Sequence, residues 1–74
     1  MLAAVKQKLA DRHMSQAEVA RRIGCTPMAI SKVLSGALMS PYLQTSIAEI
    51  LQEDPAKLWG EAWWYLRYKE RRSA

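Results

Sequence analysis

The residues whose types could make directed contacts gather in one short stretch. Pro27, Met28, Ser31, Lys32 and Ser35 recur at spacings that place them along one side of a helix. An ammonium donor, hydroxyls that donate or accept, and a polarizable thioether form a chemistry of recognition, with no means of breaking bonds. The rest of the chain carries no Ser-His-Asp set, paired carboxylate pocket, phosphate loop or metal cluster, so an enzyme is not expected. His13 and Cys25 are the only residues of their types and cannot build a structural zinc site. No cofactor, metal or small-molecule ligand is therefore expected, and Cys25 reads as a small buried apolar group.

A side of a short helix can stay free only if other elements prop it outward, and the punctuation of the sequence locates them. Each proline follows a good capping residue, in Thr26-Pro27, Ser40-Pro41 and Asp54-Pro55. Proline needs no amide donor at the first helical position and pushes its predecessor out of helical geometry, so each pair marks a helix start. Ser15, with Glu18 three residues on, marks another as a capping box, in which hydroxyl and carboxylate each take a first-turn amide. Gly24 and Gly36 supply left-handed helix stops, and Gly60 either stops or weakens the last helix.

The intervals predict helices over 2–12, 16–23, 27–34 and 41–52, and a fifth from 55 onward. Leu2, Val5 and Leu9 line one side of the first, and Leu43, Ile47, Ile50 and Leu51 one side of the fourth. No segment alternates like a strand. The fold class is all-α: a compact bundle of four to five short helices around a central helix-turn-helix.

Only Gly24, Cys25 and the cap Thr26 separate the second and third helices, which forces a steep crossing. Val19, Ile23, Cys25, Ile30 and Val33 supply the inward positions, small Ala20 faces the crossing point, and Gly24 permits the reversal.

The 74 residues make one small domain that buries about 60% of its unfolded surface, so help from a second copy is expected. With 50% hydrophobic and 24% charged residues the chain has the makings of a real core. The lone cysteine, and the lack of a long apolar run or signal-peptide pattern, suit a reducing cytoplasmic setting and no membrane. Basic residues dominate both ends, while 41–56 holds three acids and no base, a distribution that suits a partner with phosphates.

The stretch SQAEVARRIGCTPMAISKVLSG, from Ser15 to Gly36, resembles the helix-turn-helix of the phage repressor and Cro (lambda-repressor-like) family. The likeness includes Gln16 opening the second helix, Ala20, Gly24, the Ile30-Ser31 pair and the closing Gly36. Downstream, IAEILQEDPAKLW from Ile47 to Trp59 resembles the fourth helix and its extension in this family, in particular in Ner-type regulators of transposable phages.

The resemblance implies a transcriptional regulator, a repressor by preference, bound to a double-stranded DNA operator in the nucleoid of a bacterial or phage-infected cell. Its third helix would lie in the major groove. Lys32 would donate to guanine O6 and N7, Ser31 would donate or accept, and Pro27 and Met28 would meet thymine methyl groups. Ser15, Gln16, Thr26 and Ser35, short polar groups at helix ends, would meet phosphates and set register. Arg12, Arg21 and Arg22 read first as a solvated basic face.

The resemblance covers about 2–60, so 1–60 is taken as the DNA-binding domain, with its helix-turn-helix at 16–35, and 61–74 as an aromatic and basic extension. On a helix continuing past Gly60, Trp59, Trp63 and Leu66 would share one side and Trp64 and Tyr68 another. Trp59 is expected to close the core against Ile47 and Leu51. Trp63, Trp64 and Leu66 are the expected homodimer interface, because exposed aromatic patches mark association sites and the family binds paired half-sites. Arg67, Lys69, Arg71 and Arg72 would run beside phosphates or keep a disordered 69–74 end soluble. The alternative is an antitoxin-type DNA-binding protein whose aromatic end holds a toxin or other protein.

Overall fold

A computed structural model describes residues 3–66. Five α-helices run in the order α1 (Ala3–Asp11), α2 (Gln16–Ile23), α3 (Pro27–Ser35), α4 (Pro41–Leu51) and α5 (Pro55–Trp59), followed by a 3₁₀ turn over Gly60–Ala62. There is no strand among the described residues, and the architecture is the expected all-α bundle.

The starts follow the expected chemistry. Ser15, Thr26, Ser40 and Asp54 all have extended backbone, and each side chain accepts a first-turn amide, those of Glu18, Ala29, Leu43 and Ala56. The capping box is only half made. The Glu18 carboxylate turns along the helix to Arg21 and Arg22 instead of back to the Ser15 amide. Two cations one turn away outbid one neutral amide.

Two stops occur without glycine. Gln52 and His13 both take left-handed backbone at φ 55°, where a long or aromatic side chain is uncommon. The Gln52 amide donates to the Ala48 and Glu49 carbonyls. His13 donates to Ala10 and Met14 to Leu9, which closes the end of α1. Consequently α1 and α4 each end one residue short of expectation, while α3 runs one residue further, to Ser35.

The core lies where all five helices meet. Val5 and Leu9 of α1, Val19 and Ala20 of α2, and Ile30, Val33 and Leu34 of α3 are buried on one another. Leu43, Ile47, Ala48 and Leu51 of α4 and Leu58 and Trp59 of α5 complete it. Ile23, Cys25 and Ile50, expected inside, pack against this core but stay half-buried. Leu2 lies outside the described residues. Lys8 of α1 reaches Glu53 at 2.8 Å and ties the first helix to the turn after α4. That ammonium, first through its hydrogen bond and then through its charge, holds the Glu53 carboxyl below its ordinary value.

The fifth helix does not continue as expected. Gly60, at φ 57° and ψ −129°, leaves helical space, and Trp63 is extended at φ −66° and ψ 122° before a helical turn begins at Trp64. The aromatic residues therefore do not share the sides of one helix, and their placement is set by tertiary contacts.

Candidate nucleic-acid interface

The pair α2 and α3 has the most extensive contact between helices in the described chain. The reversal needs a positive φ, and Gly24 takes it at +91°, donating to the Ala20 carbonyl at 2.8 Å. The Cys25 amide goes to the same oxygen at 2.9 Å, so two donors close the end of α2 before Thr26 starts α3. Ala20 is 1% exposed at this crossing, where a longer side chain would push the helices apart.

That crossing divides α3 into two sides. Ile30, Val33 and Leu34 are at most 1% exposed. Pro27, Met28, Ser31 and Lys32 are all exposed, Met28 at 67%. The four side chains expected to touch bases thus share one open surface, held rigid by the buried side of the same helix. A nine-residue helix rises about 13 Å and is about 10–12 Å thick, a match for a major groove about 12 Å wide.

Among the four expected phosphate contacts, the three hydroxyls differ in what their protons are free to do. Ser15 Oγ accepts the Glu18 amide at 3.1 Å and Thr26 Oγ1 the Ala29 amide at 3.2 Å. Each accepts, so its own proton remains available to an outside oxygen. Gln16 is half-buried at the first position of α2. Ser35 Oγ instead donates to the Lys32 carbonyl at 3.0 Å and accepts from the Ala37 amide at 3.4 Å. Its proton is spent on the helix end, and a phosphate would have to displace that bond.

Two residues join this region that the sequence reading passed over. Lys6 of α1 lines a groove together with Met14, Ser15, Gln16 and Leu34, which brings a cation to the edge that holds Ser15 and Gln16. Tyr42, at the start of α4, donates its hydroxyl to the Ile23 carbonyl at 3.2 Å and so ties α4 to the end of α2. Arg21 and Arg22 are exposed but paired with Glu18, and Arg12 is exposed in the turn after α1.

The aromatic segment is built onto the bundle. Trp59 is 2% exposed and donates its indole Nε1 to the Gln44 carbonyl at 2.8 Å, closing the core as expected. Trp63 is half-buried against the core and meets Trp64 edge to face at 5.7 Å; Trp64 meets Tyr65 in the same manner at 5.7 Å. Part of the surface expected at an interface between copies is thus covered by the chain itself. Leu66 stays 43% exposed, and Tyr65 joins it at 48%. Tyr68, Arg67, Lys69, Arg71, Arg72 and the expected disordered end 69–74 lie outside the described residues.

The family model for the Cro/CI-type helix-turn-helix matches residues 5–58, from the first buried valine of α1 to the last turn of α5. The chain belongs to the helix-turn-helix family. It is a DNA-binding transcriptional regulator, built on the two-helix unit described above. No curated protein and no solved structure matches the chain significantly. The match stops short of the 3₁₀ turn and the aromatic residues that follow. No helix among the described residues is long and apolar enough to cross a membrane.

Proposed function

We propose that this helix-turn-helix protein is a sequence-specific repressor, bound as a homodimer to a double-stranded operator, with α3 of each copy in a major groove. One observation carries the reading: α3 has a fully buried side and an open side that offers Pro27, Met28, Ser31 and Lys32 together. Lys32 reads guanine through O6 and N7, Ser31 adjusts to its neighbour base, and Pro27 and Met28 meet thymine methyls. Ser15 and Thr26 donate their free hydroxyl protons to phosphates beside Gln16, and Lys6 adds charge along that edge. Ser35 contributes only after giving up its bond to the Lys32 carbonyl.

The likeness of Ser15–Gly36 to phage repressors, and of Ile47–Trp59 to Ner-type regulators, supports a repressor in a bacterial or phage-infected cytoplasm, associated with the nucleoid. Domain 1–60 reads DNA, and the extension from 61 brings two copies together, with Leu66 and the outer parts of Trp63 and Trp64 as its contacts and Tyr65 added to them. Selection of bound sites from a random duplex pool tests this. The expected product is a palindrome with half-sites about one helical turn apart. Recovery of unenriched sequence, with binding that falls with salt as phosphate contacts alone require, would replace the operator reading with non-specific packaging.

A further inference from the structure

Gln44 is the one buried polar side chain in the core of the described residues, at 2% exposure, on the inward side of α4 among leucines and isoleucines. An amide there is unfavourable unless both of its ends are matched, and leucine would fill the space at no such cost. Both ends are matched, by one piece of chain. Nε2 donates to the Ala62 carbonyl at 2.7 Å, and Oε1 accepts from the Trp64 amide at 3.0 Å. A carbonyl can only accept and an amide N–H only donate, so these partners fix which way round the side chain lies.

The carbonyl and the amide flank Trp63, which is extended. Gln44 thus pairs with this residue as the N–H and C=O of a single residue on a neighbouring parallel strand would, and pins one residue of extended chain to a helix. Its own main-chain carbonyl takes the Trp59 indole at 2.8 Å, so the chain is held on both sides of the Gly60 break.

We propose that Gln44 is a positioning residue: a latch that sets the direction in which the aromatic segment leaves the DNA-reading bundle, and thereby the spacing of the two α3 helices in a pair of copies. The second half rests on the homodimer reading above; the latch itself does not. Ala62 and Trp63 pack against the core, but past the Gly60 break the direction of the chain needs contacts that are themselves directional. The α4 amide supplies them through bonds that have both distance and polarity.

Gln44→Glu converts the latch into one that pH can open. A protonated carboxyl can donate to Ala62 and accept from Trp64, as the amide does, whereas a carboxylate sets a negative oxygen against the Ala62 carbonyl. Burial raises the carboxyl's titration above its ordinary range, so the variant is compared at about pH 5 and at about pH 9, with the natural chain at both as the control. The readouts are acrylamide quenching of tryptophan fluorescence, sedimentation mass and operator affinity, with circular dichroism reporting the bundle.

For Gln44→Glu we expect wild-type quenching, mass and affinity at the acid pH. At the alkaline pH we expect stronger quenching, loss of the paired mass and about tenfold or more weaker operator binding, with helicity kept. Gln44→Met should behave as released at both, and the natural chain as latched at both. Quenching of Gln44→Glu that does not change with pH would overturn the latch. Quenching that changes while mass and affinity do not would overturn its role in pairing. A natural chain that sediments as a single copy would sink the homodimer reading, and the quenching would still decide the latch.

Discussion

Truncating two apolar residues of α3 to alanine, one from each side, should have opposite consequences. Ile30 is 0% exposed, so Ile30→Ala loses its transfer energy and leaves a cavity, a cost of about 2–5 kcal/mol. A chain of 74 residues has a total of about 4–11 kcal/mol, so this variant stands close to unfolding, with Tm lowered by about 10 °C or more. Met28 is 67% exposed, so Met28→Ala should leave stability within about 0.5 kcal/mol. Fully burying a methionine is worth about 1.5–3 kcal/mol, and two thirds of Met28 is open. Its removal should therefore weaken operator binding by about 1–2 kcal/mol, or about 5- to 30-fold. Urea unfolding followed by tryptophan fluorescence, beside a binding isotherm measured well below each variant's midpoint, separates the two effects. Equal stability losses, or unchanged operator affinity for Met28→Ala, would refute the two-sided helix.

Gly24→Ala should cost about 1 kcal/mol in urea unfolding, all of it from backbone, because an added Cβ meets nothing within 4 Å at φ +91°. A much larger loss would mean that the added methyl meets packed atoms in the turn. The Glu53 carboxyl is held below its ordinary value of 4.5 by Lys8, so its share of stability is complete above that value and is lost as pH falls through the lowered one. Lys8→Met should flatten this acid limb of the stability profile, and a profile identical to that of the natural chain would remove the pair from the account.

The helix-turn-helix was legible because its determinants are local. Caps at Ser15 and Thr26, Pro27 at a helix start, Gly24 and Gly36 at helix ends, and the 3.6-residue recurrence of apolar residues each act within one turn of chain. The features that escaped depend on distant partners or on rules that permit exceptions. Gln52 and His13 end helices in left-handed backbone that the sequence does not advertise with glycine. Glu18 had two reachable uses, and the arginines one turn on took it. Gln44 reads as a polar interruption of an apolar pattern, and only the chain returning at Ala62 and Trp64 makes it a core residue. The sequence suggests one continuous helix through the aromatic segment because Gly60 is compatible with weakening a helix or with breaking it, and the fold takes the break. Lys6 carries no motif of its own; the groove between α1 and α2 brings it beside Ser15 and Gln16.

The most direct test measures Lys32→Ala and Gln16→Ala against a panel of operators that differ by single base pairs. Lys32→Ala should erase about 1–3 kcal/mol of discrimination at one position and leave the others intact, while Gln16→Ala should weaken every duplex nearly alike. Equal losses across the panel for Lys32→Ala, or none, would contradict the claim that the open side of α3 reads sequence.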